Sequence, residues 1–254
     1  MISKAKIKLI HSLELKKFRN SENAFLAEGH KLVGDVISKF PAKYIAATKE
    51  WIDENSGILR EHQKDVQVDC VTYEELSKAS LLKSPQDVIA VFERPNYKME
   101  GLKLRPEREL CLALDGVQDP GNIGTIVRIA DWFGIETIFC SNNSVDVFSP
   151  KAIQATMGAI GRVSVVYCDL KELFANCNCP IYGTFLNGRN IYTEPLTSNG
   201  IIVMGNEGNG ISPEVEKFVT DRITIPNYPA DRPTSESLNV AIATSIVCSE
   251  FRRR

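Results

Sequence analysis

The chain has 254 residues, 43% hydrophobic and 24% charged, with a formal net charge of −2, enough for one large domain or two modest ones, each with its own core. Near-balanced charge removes any global electrostatic case for a nucleic-acid partner, so RNA or DNA would have to be met by a local patch. No run of about 18 apolar residues is present to span a membrane, and no apolar stretch follows a basic start as a signal peptide requires, so a cytoplasmic protein is expected.

The first helix carries Ile7, Leu9, Ile10, Leu13 and Leu15 on an apolar side among lysines. Around it Lys4, Lys6, Lys8, Lys16, Lys17, Arg19 and Lys31 outnumber Glu14, Glu22 and Glu28, a local basic patch. On charge alone a solvated helix face is the simpler reading. Phe25 to Ala27 reads as a short strand, His30 to Phe40 as a helix, Tyr44 to Ala47 as a strand, and the apolar run Val88 to Phe92 closes a first α/β unit over residues 1–95. A polar, proline-containing stretch with no periodicity then marks a linker at 96–108. The second unit, 109–254, starts with a strand at Leu110 to Leu114, a loop, and a helix with Ile126, Ile129, Ala130 and Phe133 on one side. Further strands are expected at Thr137 to Cys140, Val163 to Tyr167, Ile181 to Phe185, Ile201 to Met204 and Arg222 to Ile225, with helices between most of them. That alternation argues for a mainly parallel sheet with helices on both faces. The last helix, Ser237 to Phe251, is apolar on most sides and must be buried in the domain or in a subunit contact.

No metal site is expected. Of seven cysteines only Cys177 and Cys179 lie close together, without paired CxxC spacing, and are read with the rest as reduced, mostly buried thiols; His11, His30 and His62 are not spaced as a metal pair.

Three loops carry the candidate chemistry. In DGVQDPGNIGTIVR, Asn122 reads as a helix N-cap or a site residue, and Arg128 as a surface cation or a site residue; six positions apart on a helix they do not share a stripe, so a common site would need Asn122 in the loop. In IIVMGNEGNGIS a single carboxylate, Glu207, sits in a glycine-rich turn after an apolar strand, as an exposed turn residue or a ligand contact; the turn matches neither GxGxxG nor the phosphate loop. In IPNYPADRPTSESLN a polar loop delivers Ser237, a candidate N-cap, and Asn239, an amide that needs a partner or a ligand at the start of so apolar a helix. All three follow strands of one expected sheet and so can converge at one rim.

These segments, DPGNIGTIVR, VMGNEGNGIS and IP…ESLNVAIA, resemble in order and spacing the motifs of the SpoU (TrmH-like) RNA ribose methyltransferases of the SPOUT superfamily. The resemblance covers about residues 108 to 251 closely; the first 95 residues look more loosely like the family's small ribosomal-protein-like RNA-binding domain. It implies a C-terminal trefoil knot, a homodimer, and methyl transfer from S-adenosylmethionine to a ribose 2′-hydroxyl in structured RNA, ribosomal RNA ahead of transfer RNA, with neither DNA nor membrane as partner. Arg128 matches the arginine assigned to the hydroxyl, and Asn122, Glu207, Ser237 and Asn239 the polar residues that position it. Gly205, Ile225, Leu238 and, less closely, Thr184 match cofactor contacts. The segment between Pro226 and Ser237 departs from the pattern, being longer and lacking the usual methionine and glycine. A non-catalytic RNA-binding protein retaining the knotted fold is the alternative.

Overall fold

The structure is a computed structural model that describes residues 1–229 and 237–253. Two units emerge: Met1–Asn96 with Asp146–Gly161, and Tyr97–Val145 with Arg162–Arg254. The segment Asp146–Gly161, left inside the C-terminal domain by the sequence reading, thus groups with the N-terminal unit.

The first unit runs α1 (Lys4–Ser12), α2 (Lys16–Ser21), β1 (Ala24–Glu28), α3 (His30–Val36), β2 (Ala42–Ala47), α4 (Lys49–Glu54), α5 (Ser56–His62), β3 (Val68–Cys70), α6 (Tyr73–Ala79) and β4 (Val88–Glu93). Its sheet has the order β1-β4-β2-β3, antiparallel except for β2 with β3. One face packs Leu26, Tyr44, Ile89 and Val91 against Ile10, Leu13 and Leu76 of the helical side. Arg19 leaves the expected basic patch. It is 3% exposed, pairs with Asp146 at 2.8 Å and donates to the carbonyls of Leu13 and Glu14. A buried guanidinium needs such a full set of acceptors, and sequence periodicity does not reveal a carboxylate 127 positions away.

In the second unit come α7 (Met99–Leu102), β5 (Leu110–Leu114), α8 (Pro120–Trp132) and β6 (Thr137–Ser141); α9 (Pro150–Thr156) belongs to the first unit. There follow β7 (Ser164–Cys168), α10 (Leu170–Ala175), β8 (Ile181–Asn190), β9 (Gly200–Met204), α11 (Pro213–Glu216), β10 (Asp221–Thr224) and α12 (Val240–Arg253). The sheet order is β10-β8-β9-β5-β6-β7 and every pair is parallel. All five residues of β5, β6 and β9 are buried, as strands covered on both faces must be. From β5 the chain moves outward through β6 and β7, then crosses to β9's side, so the order reverses between β5 and β9. Ligands favour the carboxyl ends of the strands at such a switch point.

Candidate active site

Leu114 of β5 pairs with Met204 of β9, and Asp115 N–H donates to Met204 C=O at 2.9 Å. This register brings together two loops ninety positions apart, and Asn206 Nδ2 joins them by donating to Gly116 C=O at 2.7 Å. Buried Asp115 accepts the Ser212 N–H at 2.7 Å. Gly116, at φ 74°, occupies left-handed space that a side chain would strain. Asn206 also closes its own turn: Oδ1 accepts from the N–H groups of Gly208 and Asn209, and its backbone exchanges two bonds with Gly210. At Gly205 a Cβ would lie 2.2 Å from the Gly210 carbonyl carbon, so only glycine fits.

Glu207 projects from this turn and accepts from Asn122 Nδ2 at 3.0 Å, Gln118 N at 3.3 Å and Asp119 N at 3.4 Å. Burial pushes its carboxyl up, but the hydrogen bonds from Asn122 and the backbone outweigh it and hold the pKa below the ordinary 4.5.

Asn122 is not the helix cap. Asp119 is, its Oδ1 accepting the Asn122 N–H at 2.9 Å, because Pro120 occupies the first helical position and the cap falls just before it. Asn122 lies inside the first turn and its side chain reaches across to the neighbouring loop. Nor is Ser237 a cap: Asn239 Oδ1 accepts from Ala241 N at 3.0 Å and Ile242 N at 3.3 Å and so starts α12. Asn239 Nδ2 donates to Asn122 Oδ1 at 3.0 Å. The amide orientations follow from Glu207. A carboxylate only accepts, so Asn122 presents its NH2 to it and its oxygen to Asn239, which turns its own oxygen to the helix.

Arg128 stands apart from this line within one chain. It is exposed on α8 and its guanidinium makes no hydrogen bond or ion pair among the described residues. Six residues of helix place it roughly 120° around the axis from Asn122, and Asn122 is in the helix, so the condition for their sharing a site within one chain is not met.

Beside Glu207 opens a cavity of about 710 Å³, within the usual size for a small-molecule site. Thr184, Gly205, Ile225 and Leu238 all line it, together with Glu207 and Ser237. One wall was missed by the sequence reading, which ended a strand at Phe185. The ladder passes from Gly183 opposite Arg222 directly to Arg189 opposite Ile223, so Thr184 to Gly188 bulge out toward the cavity. The signal available was the Asn187-Gly188 turn pair; a Cβ at Gly188 would sit 2.4 Å from Ile223 C. Arg222 braces the bulge, lying 3.7 Å over the Phe185 ring, donating to Asn187 Oδ1 at 2.9 Å and pairing with Glu216. Thr184 Oγ1 donates to Val203 C=O at 3.0 Å. Gln118 and Asn206 are further site residues the sequence reading passed over. Of the atypical loop, residues 230–236 lie outside the described residues.

The SpoU rRNA Methylase family model matches residues 109–249, and the MRM3-like substrate binding domain model matches residues 4–90. The chain belongs to the SpoU rRNA methylase family, as its three motifs implied. The 23S rRNA (guanosine(2553)-2′-O)-methyltransferase RlmP of Bacillus subtilis is 29% identical over 253 residues, which is 97% of this chain and 96% of that protein. Among solved structures, a putative RNA methyltransferase of the TrmH family from Porphyromonas gingivalis is 39% identical, with TM-score 0.85 over 100% of this chain and 99% of its own. The AdoMet-bound rRNA methyltransferase from Sinorhizobium meliloti is 28% identical, with TM-score 0.87, over 100% and 97%.

Proposed function

We propose that this chain transfers a methyl group from S-adenosylmethionine to a ribose 2′-hydroxyl of ribosomal RNA. The observation that carries the reading is the cavity lined by Gly205, Ile225 and Leu238, with Glu207 on its wall and bonded to the Asn122–Asn239 line. The donor set suits an adenosine: apolar Ile225, Leu238 and Val240 for a purine, and an open glycine-rich turn whose peptide groups a ligand can approach. When bound, S-adenosylmethionine supplies an electrophilic methyl on a sulfonium. The residues of the chain do the rest by position. Glu207, with its oxygens occupied by N–H donors, ties the loops together, and Asn122, Ser237 and Asn239 orient the ribose. Arg128 steers a phosphate or the 2′-oxygen electrostatically.

The finer parts of the reading belong together. Arg128 shares its helix face with Trp132, four positions on and 85% exposed, and Ile242 of α12 is 53% exposed. Apolar groups so exposed support a homodimer through this domain, which would complete the site with Arg128. The order of the motifs supports the trefoil knot. Lys4, Lys8, Lys16, Lys17 and Lys31, all exposed, support phosphate contact by the N-terminal domain. The rRNA substrate supports a place in the cytoplasm; no helix among the described residues is long and apolar enough to cross a membrane.

Arg128→Ala tests the reading. Methyl transfer to RNA should fall by at least on the order of 100-fold while the protein stays folded and still binds S-adenosylmethionine in calorimetry. Full activity removes the role of Arg128. No cofactor binding by the parent protein, with RNA present, would favour the non-catalytic alternative.

A further inference from the structure

The connection between α10 and β8 holds two cysteines for which methyl transfer has no use. Cys177 Sγ and Cys179 Sγ stand 2.9 Å apart across the exposed Asn178. Both are part-exposed, whereas Cys111, Cys140 and Cys248 are buried. The segment is anchored at each end: Cys177 N–H donates to Phe174 C=O at 3.2 Å, and Pro180 C=O accepts the Ile201 N–H at 3.0 Å. The two sulfurs are therefore held on one side of a fixed turn, and only about 0.9 Å of further approach separates them from a bond. Pre-positioned groups of this kind react as though at high effective concentration.

We propose that Cys177 and Cys179 are a redox-active dithiol that exchanges with low-molecular-weight disulfides and closes into an intramolecular disulfide. Cys177 attacks first. Either sulfur could donate across the 2.9 Å contact; with Cys179 as the donor, its S–H draws the Cys177 pKa down while the same bond and burial push Cys179 up. The Cys177 thiolate attacks one sulfur of the disulfide RSSR, forming a Cys177–SR mixed disulfide and releasing RS⁻, which takes up a proton. Cys177 sulfur is then no longer an anionic acceptor, so the bond that held the Cys179 proton weakens. Cys179 loses its proton to solvent and attacks Cys177 Sγ, and the second RS⁻ leaves. Two protein thiols are oxidised to one disulfide, and RSSR is reduced to two RSH.

Trypsin gives a direct readout, because Glu172 to Arg189 is one tryptic peptide containing these two cysteines and no other. The full-length protein is equilibrated across ratios of oxidised to reduced glutathione, quenched in acid, alkylated under denaturing conditions and digested. Under oxidising ratios the peptide should emerge lighter by two hydrogens, carrying neither alkyl nor glutathione, while the Cys140 and Cys248 peptides stay alkylated; excess reduced glutathione should reverse the change. In the native, reduced protein, limiting iodoacetamide should label Cys177 on the order of tenfold ahead of Cys179. Cys179→Ser should trap glutathione on Cys177. A peptide alkylated twice at every ratio, or one carrying two glutathiones, overturns the dithiol; equal labelling of the two thiols, or no glutathione trapped in Cys179→Ser, overturns the order of attack.

Discussion

Glu207 ties its own glycine-rich turn to the start of α8 through its carboxylate. Two carboxylate oxygens take three donors from the single segment Gln118 to Asn122, so the group is an acceptor whose value depends on its staying ionised. Its folded pKa lies below the ordinary 4.5, so the stabilisation from these bonds is present above the unfolded value and lost as pH falls through the folded one. The amide protons of Gln118 and Asp119 should report this in a pH titration followed by NMR, with a common midpoint below 4.5; a midpoint above it would contradict the bonding. Gly205 makes the opposite kind of demand, for the absence of a side chain. Gly205→Ala should cost about 1–3 kcal/mol and weaken S-adenosylmethionine binding, read by denaturant melts and calorimetry. Gly208→Ala is the control, since its Cβ would meet only Asn206 Oδ1 at 3.6 Å, and its stability should stay within about 0.5 kcal/mol of the parent.

At the scale of elements, the N-terminal ends of α8 and α12 meet through Asn122 and Asn239. Asn239 serves both, capping α12 and donating to Asn122, and the two jobs are separable. Asn239→Ala should cost about 1 kcal/mol of stability through the lost cap and also reduce methyl transfer. Asn239→Asp keeps an oxygen for the cap but has no N–H for Asn122, so thermal melts should recover while methyl transfer does not. Recovery of both would reduce Asn239 to a cap. Sequence rules foresaw capping at both helices, with Asn122 and Ser237 as candidates, whereas Asp119 and Asn239 do it. Local preference admits Ser237 as readily as Asn239, and Asn122 was weighed without the fixed geometry that Pro120 imposes on the position before it.

For the whole molecule, the exposed Arg128 and Trp132 on one face of α8 and the exposed Ile242 of α12 carry the proposal of a dimer. Trp132→Lys should shift the protein toward monomer in sedimentation velocity at micromolar concentration, with loss of methyl transfer and little change in the melt of the isolated chain. A dimer of unchanged affinity would remove Trp132 from the interface.

Much of the fold, and the three loops that line the candidate site, were legible in the sequence. Strands buried on both faces of a parallel sheet read as unbroken apolar runs, so Leu110 to Leu114 and Ile201 to Met204 announced themselves. Helical periodicity placed α8 and α12 to within a few residues, and the polar residues of three ordered segments named the loops. What tertiary structure alone decided was adjacency. That Glu207 meets Asn122, that Asn122 meets Asn239, that Arg19 is buried on Asp146 and that Thr184 to Gly188 bulge into a cavity wall all depend on strand register and on pairings far apart in the chain. A residue's own neighbours in sequence set its local conformation, but sheet register is fixed by the packing of whole faces, and no local pattern contains it.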